Sequence, residues 1–152
     1  MSLDVYLERP GVAIERSAEG IFIRENGQTV QISREEWDRR FPDREPVTVR
    51  ADETYTDNRV YSSNITHNLG KMAREAGVYD CCWRADEHGI THAKQLIEPL
   101  QRGISAMEAE PERFWKHNPE NGWGSYASFL PWLKEYLAAC IEYPDAEVRV
   151  WR

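Results

Sequence analysis

The sequence predicts an α+β fold: a mostly antiparallel sheet made from N-terminal strands and a C-terminal strand, with about three helices packed on one face. Two patterns carry that prediction. Period-two alternation, the mark of a half-buried strand, runs through Leu3, Val5 and Leu7 and returns in Glu147-Val-Arg-Val-Trp151. Between residues 61 and 143 the apolar residues recur instead every three or four positions, the spacing of helices with one buried face.

Taken in order, Val12 and Ile14 continue the strand pattern beyond a Pro10-Gly11 turn. Ile21-Phe-Ile-Arg-Glu25 and Gln28-Thr-Val-Gln-Ile32 flank Asn26-Gly27, which tolerates the positive φ angles of a type I′ turn, so a tight hairpin is expected. Ser33-Arg-Glu-Glu36 reads as a capping box, with Ser33 accepting from a first-turn amide and Glu36 reaching back. The short helix it opens should run to about Phe41 and stop at Pro42. Val47-Thr-Val49 reads as a strand and Arg50 to Asn58 as a connecting loop. Ile65, Leu69, Met72, Ala73 and Ala76 fall on one helical face, with Asn64 at the helix start and Gly77 as its C′ residue. Thr91 is placed as the cap of a longer helix whose buried stripe is Leu96, Ile97, Leu100, Ile104 and Met107. Pro99 should kink that helix and Gly103 weaken it; it should end before Pro111, with Glu112-Arg-Phe-Trp115 adding one turn. Ser125 caps a third helix that turns Phe129, Leu133, Tyr136, Leu137 and Cys140 inward, and Pro144-Asp145 ends it.

At 152 residues the expectation is one domain spanning 1–152, with strands and one short helix over 1–60, helices over 61–143 and a terminal strand over 146–151. A content of 41% hydrophobic and 11% aromatic residues excludes a disordered chain, and no apolar run approaches the roughly 18 residues of a membrane helix. Met1-Ser-Leu-Asp-Val-Tyr-Leu7 has an acidic residue where a signal peptide carries positive charge, and three cysteines suit a reducing compartment, so a cytoplasmic protein with no membrane partner is expected. A net charge of -7 argues against long nucleic acids, because no cluster of cations with interleaved aromatics overrides it. It leaves room for a compact anion met by local cations such as Arg59, Lys71, Arg74 or Arg84.

Two segments are richer in amide, imidazole and indole groups than a core requires: Asn64-Ile-Thr-His-Asn-Leu69 and Asn118-Pro-Glu-Asn-Gly-Trp-Gly124. In the first, Asn64 or Thr66 can cap a helix, leaving His67 and Asn68 in a first turn suited to an anion. In the second, Asn118-Pro119 and Asn121-Gly122 are turn dipeptides, and the glycines around Trp123 let a ligand approach its indole. The functional expectation is one pocket in which Trp123 and Tyr126 stack on a ring. Asn64, Asn68 and Asn121 would read polar edges, and His67 with Arg59 or Lys71 would meet an anionic group. The structural alternative treats the asparagines as caps and turn residues, and Trp123 as a hydrophobic staple folded inward.

Other chemistries are weaker. His88 and His92 with Cys81 and Cys82 resemble half a zinc site, but Gly89 and Thr91 put a helix start between the histidines, so no metal is expected and Cys82 and Trp83 read as core. Cys140, Ser62 and Ser63 sit in no nucleophile signature, and no phosphate-binding glycine loop exists, so no cofactor is expected. His67 is the best single candidate for proton transfer.

Ser2-Leu-Asp-Val-Tyr-Leu7, Asn64-Ile-Thr-His-Asn-Leu-Gly-Lys-Met-Ala73, Ala76-Gly77, Gly89-Ile-Thr91 and Asn118-Pro-Glu-Asn-Gly-Trp-Gly124 together resemble a group of small uncharacterised phage and prophage proteins along nearly the whole chain. No catalytic role carries over from that group. The resemblance implies the host cytoplasm and suggests, by analogy, sequestration of a nucleotide-derived host defence signal. The leading expectation is a non-enzymatic binder of a small polar or nucleotide-derived ligand. The alternatives are a phosphodiesterase or hydrolase using His67 as general acid/base, and an acidic inhibitor of a host enzyme. Exposed aromatics such as Trp37 or Trp151 would suit a homo-oligomer.

Overall fold

Strand β1 (Ser2–Glu8) is the centre of the main sheet: Leu3, Val5 and Leu7 are fully buried while their neighbours are half-exposed. The computed structural model describes residues 2–11, 14–16, 20–49 and 55–152, and Val12 with Arg50–Thr54 of the expected loop lie outside them. Contacts divide the chain into two compact units, Met1–Val12 with Asn58–Arg152, and Ala13–Asp57.

The second unit is built from short antiparallel pairs. Strand β2 (Ile14–Arg16) pairs with the later β6, while β3 (Gly20–Glu25) and β4 (Gln28–Ile32) form the expected hairpin with Glu25 opposite Gln28. Asn26 and Gly27 have φ 49° and 78°, the mirror-image turn that matches strand twist. Ser33 accepts from the Glu36 amide and opens α1 (Arg34–Arg40), but Glu36 turns its carboxylate to Arg39 and Arg40 and leaves the box half-made. Trp37 is half-buried, its indole donating to the Arg44 carbonyl at 2.7 Å. Strand β5 (Thr48–Val49) adds to β3, and β6 (Tyr55–Asp57) is a strand where a loop is expected.

Strand β7 (Arg59–Thr66) returns the chain to the first unit and pairs antiparallel with β1 from Ser2 opposite Thr66 to Leu7 opposite Tyr61. Here the sequence expectation needs correcting, because Asn64 lies inside this strand and caps no helix. The β-branched, aromatic and serine residues from 59 to 66 satisfy the hydrogen bonds β1 needs on that side, and Asn64 Nδ2 donates to Asp4 Oδ1 across the pair at 3.0 Å. Thr66 is the cap instead, its hydroxyl accepting from the Asn68 amide before a 3-10 turn at His67–Leu69 and helix α2 (Gly70–Glu75). Gly77, at φ 73°, donates to the Arg74 carbonyl while Val78 donates to Ala73, a complete Schellman closure.

Helix α3 (Tyr79–Trp83) and a 3-10 turn at Ala85–His88 lead to α4 (Lys94–Ala109). Thr91 does not cap α4. The Val148 amide bonds the Thr91 carbonyl and the Ala93 amide bonds Ala146, so residues 91–93 are drawn to the sheet edge, and the helix starts three residues after Thr91. Gln95 Oε1 reaches back to accept from the Thr91 and His92 amides, both at 2.9 Å. Helix α5 (Pro111–Trp115) is the expected extra turn, and Ser125 with Ser128 caps α6 (Tyr126–Glu142). Strand β8 (Glu147–Trp151) closes the order β7-β1-β8, all antiparallel. Phe129, Leu133, Tyr136 and Cys140 of α6 and Leu96, Leu100 and Met107 of α4 are buried as expected, joined by Trp132, Trp83 and Phe114. Among the described residues, no helix is long and apolar enough to cross a membrane.

Candidate functional site

The two motif segments meet at one open cavity of about 720 Å³ within the first unit. One wall is the 3-10 turn and helix α2, contributing His67, Asn68, Gly70, Lys71 and Arg74; the other is the loop after α5, contributing residues 116–121. Gly124 explains why they lie together. At φ 95°, it packs so closely that a Cβ there would sit 2.8 Å from Thr66 Cγ2 and 2.9 Å from Leu69 Cγ. The loop approaches the His67 turn to a distance only glycine permits.

The loop's asparagines hold its shape. Asn118 Oδ1 accepts from the Tyr126 amide at 2.7 Å and Asn121 Oδ1 from the Trp123 amide at 3.0 Å, with Gly122 at φ 72° between them. Both amide oxygens are therefore engaged with backbone, and what these side chains add for a ligand is mainly the Nδ2 donors.

The other wall rests on an aromatic stack. Trp83 is buried and stacks on Tyr79 at 5.5 Å between centroids; the Arg74 guanidinium lies 3.7 Å over the same Tyr79 ring. Trp83 Nε1 donates to His67 Nδ1 at 2.9 Å. An indole N–H can only donate, so Nδ1 must accept and the neutral ring's own proton sits on Nε2. His67 is thus oriented as a donor, presenting Nε2–H while its Nδ1 accepts from Trp83. Arg152 anchors the base of this stack, donating to the Trp83 carbonyl and, through two nitrogens, to the Asp86 carboxylate.

Charge is concentrated at the cavity. Lys71, Arg74 and Lys116 line it and make no ion pair with a carboxylate among the described residues, while Glu120 is the only acidic residue lining it. His117 is half-buried there, with Nε2 buried, free of hydrogen bonds and 4.0 Å from Glu75 Oε2. Glu75 is itself committed to Arg113 at 2.5 Å, and that hydrogen bond holds its carboxyl below the usual carboxylate range.

Of the residues singled out in the sequence, His67, Asn68, Lys71 and Asn121 line this cavity; Arg59, Asn64, Trp123 and Tyr126 do not. Arg59 begins β7, roughly 23 Å along the strand from Thr66, where its guanidinium lies 4.2 Å over Tyr6. Asn64 faces Asp4. Tyr126 is half-buried, its hydroxyl donating to the Met107 carbonyl and its ring edge-on to Trp115. Trp123 does not fold inward as a hydrophobic staple would: it is 71% exposed, on the loop two residues past Asn121. The sequence reading omitted Lys116, His117 and Glu120, although the first two directly precede the Asn118 motif.

The thiols are core groups. Cys140 is pushed up to about 12 by burial, and Cys82 is held well above the ordinary range by its contact with the Cys81 thiol and by burial. Neither resembles an activated nucleophile. No group of three or more His, Cys, Asp or Glu side chains among the described residues could hold a metal ion.

The fold and cavity define an α+β chain with a cation-lined cleft between a helix start and an asparagine-rich loop. No protein-family model, curated protein or solved structure matches it.

Proposed function

We propose that this chain is a non-enzymatic binding protein for a small anionic ligand of nucleotide-derived class. The observation that carries the reading is His67, held by Trp83 as a hydrogen-bond donor, in a cavity lined by three cations that form no ion pair with a carboxylate among the described residues. Donors at fixed positions recognise an acceptor-rich group without supplying the proton transfer that hydrolysis requires. The resemblance to small phage proteins supports a role in which the ligand, a host defence signal, is sequestered in the host cytoplasm.

The second reading is a phosphodiesterase or hydrolase using His67, favoured by the fact that a second imidazole, His117, lines the same cavity. A panel of nucleotides and cyclic nucleotides separates the two. Binding at one hundred times Kd should stabilise the protein by about 2.7 kcal/mol, a rise in Tm of roughly 5–10 °C, with the ligand recovered intact after denaturation. His67→Ala should abolish most of that rise. Turnover that disappears in His67→Ala would replace binding with catalysis, and a flat Tm across the panel would remove the proposal.

A further inference from the structure

Resting on the anion-binding reading, we infer that the cavity is built for the terminal, dianionic phosphate of a phosphomonoester in preference to the monoanionic phosphodiester of a cyclic nucleotide. Lys71, Arg74 and Lys116 against Glu120 leave the lining with two positive charges in excess. A phosphomonoester carries about -1.5 to -2 at neutral pH and three acceptor oxygens, whereas a diester carries one charge and two such oxygens. The lining matches the former in charge and in hydrogen-bonding sense. His67 offers Nε2–H, and the oxygens of Asn118 and Asn121 are already turned to backbone amides, which leaves their Nδ2 donors for a ligand. Arg74 is also held in place: its cation–π contact with Tyr79 positions the guanidinium without neutralising it. Because the whole molecule carries -7, this cavity is a local reversal of the surface charge, and the reversal has to be offset by an anion or remain screened by salt.

The experiment is calorimetric titration of the full chain with inorganic phosphate, AMP, 3′,5′-cyclic AMP and adenosine at low ionic strength. Inorganic phosphate and AMP should both bind, with AMP about tenfold or more tighter than cyclic AMP, and adenosine should be weakest. Lys71→Gln and Lys116→Gln should each weaken AMP about tenfold without moving the Tm of the free protein, since both side chains are exposed. Glu120→Gln should tighten AMP several-fold. Cyclic AMP or adenosine binding as tightly as AMP, or AMP affinity insensitive to both lysine variants, would overturn the phosphomonoester assignment and leave a small-ligand site standing. Failure of all four probes to bind would overturn the assignment and the anion-binding reading together.

Discussion

Tyr136 and Trp83 carry similar polar tips into the same core and are treated oppositely. Trp83 finds His67, while the Tyr136 hydroxyl, in a fully buried ring stacked on Tyr61, has no protein hydrogen-bond partner. A buried, unpartnered hydroxyl costs on the order of 1–3 kcal/mol. Tyr136→Phe should therefore leave stability unchanged or raise it by about 1 kcal/mol, read as a higher urea midpoint at constant slope; a loss of more than that would reveal a hydrogen bond the packing conceals. His67 was legible in the sequence because an imidazole at a helix start exceeds what capping needs. Its role as a fixed donor was not, because it depends on Trp83, sixteen residues away. Tyr126 misled for the converse reason: three residues from Trp123 in sequence, it is drawn inward by the Met107 carbonyl of another helix.

At the level of elements, Gly103 is the informative position. In isolation, alanine at a mid-helix glycine stabilises by roughly 1 kcal/mol. Within α4, a Cβ on Gly103 would meet Val78 Cγ1 at 2.3 Å and the Ala76 carbonyl at 3.1 Å. The glycine that weakens the helix locally lets the chain after α2 cross it closely, so Gly103→Ala should destabilise by about 1–3 kcal/mol in chemical denaturation. A stabilised variant would mean that the Val78 segment yields easily. The same competition between local and tertiary terms moved two helix starts. Thr91 has the chemistry of a cap, but its backbone is taken by β8; Asn64 likewise, but β1 needs a partner strand. The hairpin at Asn26-Gly27 and the Ser125 cap came out as read, because a turn dipeptide or a cap with a free helix end has no distant competitor.

For the whole molecule, carboxylates clamped by arginine set the response to acid. Glu75 is held below its ordinary range first by its hydrogen bond to Arg113, Asp86 by Arg152, and Glu36 by Arg39 and then Arg40. Each folded value lies below the unfolded one, so these contributions are complete above the ordinary carboxylate range and are lost as pH falls through the lower folded values. Tm should hold from neutral pH to about 5 and decline below about 4. Arg152→Gln should flatten part of that decline, and 1 M salt should do the same, most of all for Asp86, which is exposed where Glu36 and Glu75 are half-buried. A Tm independent of pH between 5 and 3 would show that the clamps contribute nothing. Arg152 also braces the Trp83 carbonyl, which ties the C-terminal strand to the wall of the cavity.

The sequence by itself determined the α+β class, the strand alternation of β1 and β8, the hairpin, the buried stripes of α4 and α6, and the two segments that line the cavity. All of these follow from periodicity and turn chemistry, which act over a few residues. Only the tertiary structure decided that 59–66 is a strand, that Trp83 fixes His67, that Lys116 and His117 join the cavity, and that Arg59 and Tyr126 stay out of it. Those outcomes depend on which backbone amides and which packing surfaces are already taken by residues far away in the chain, and Gly124 against Leu69 is the contact that brings the two segments together.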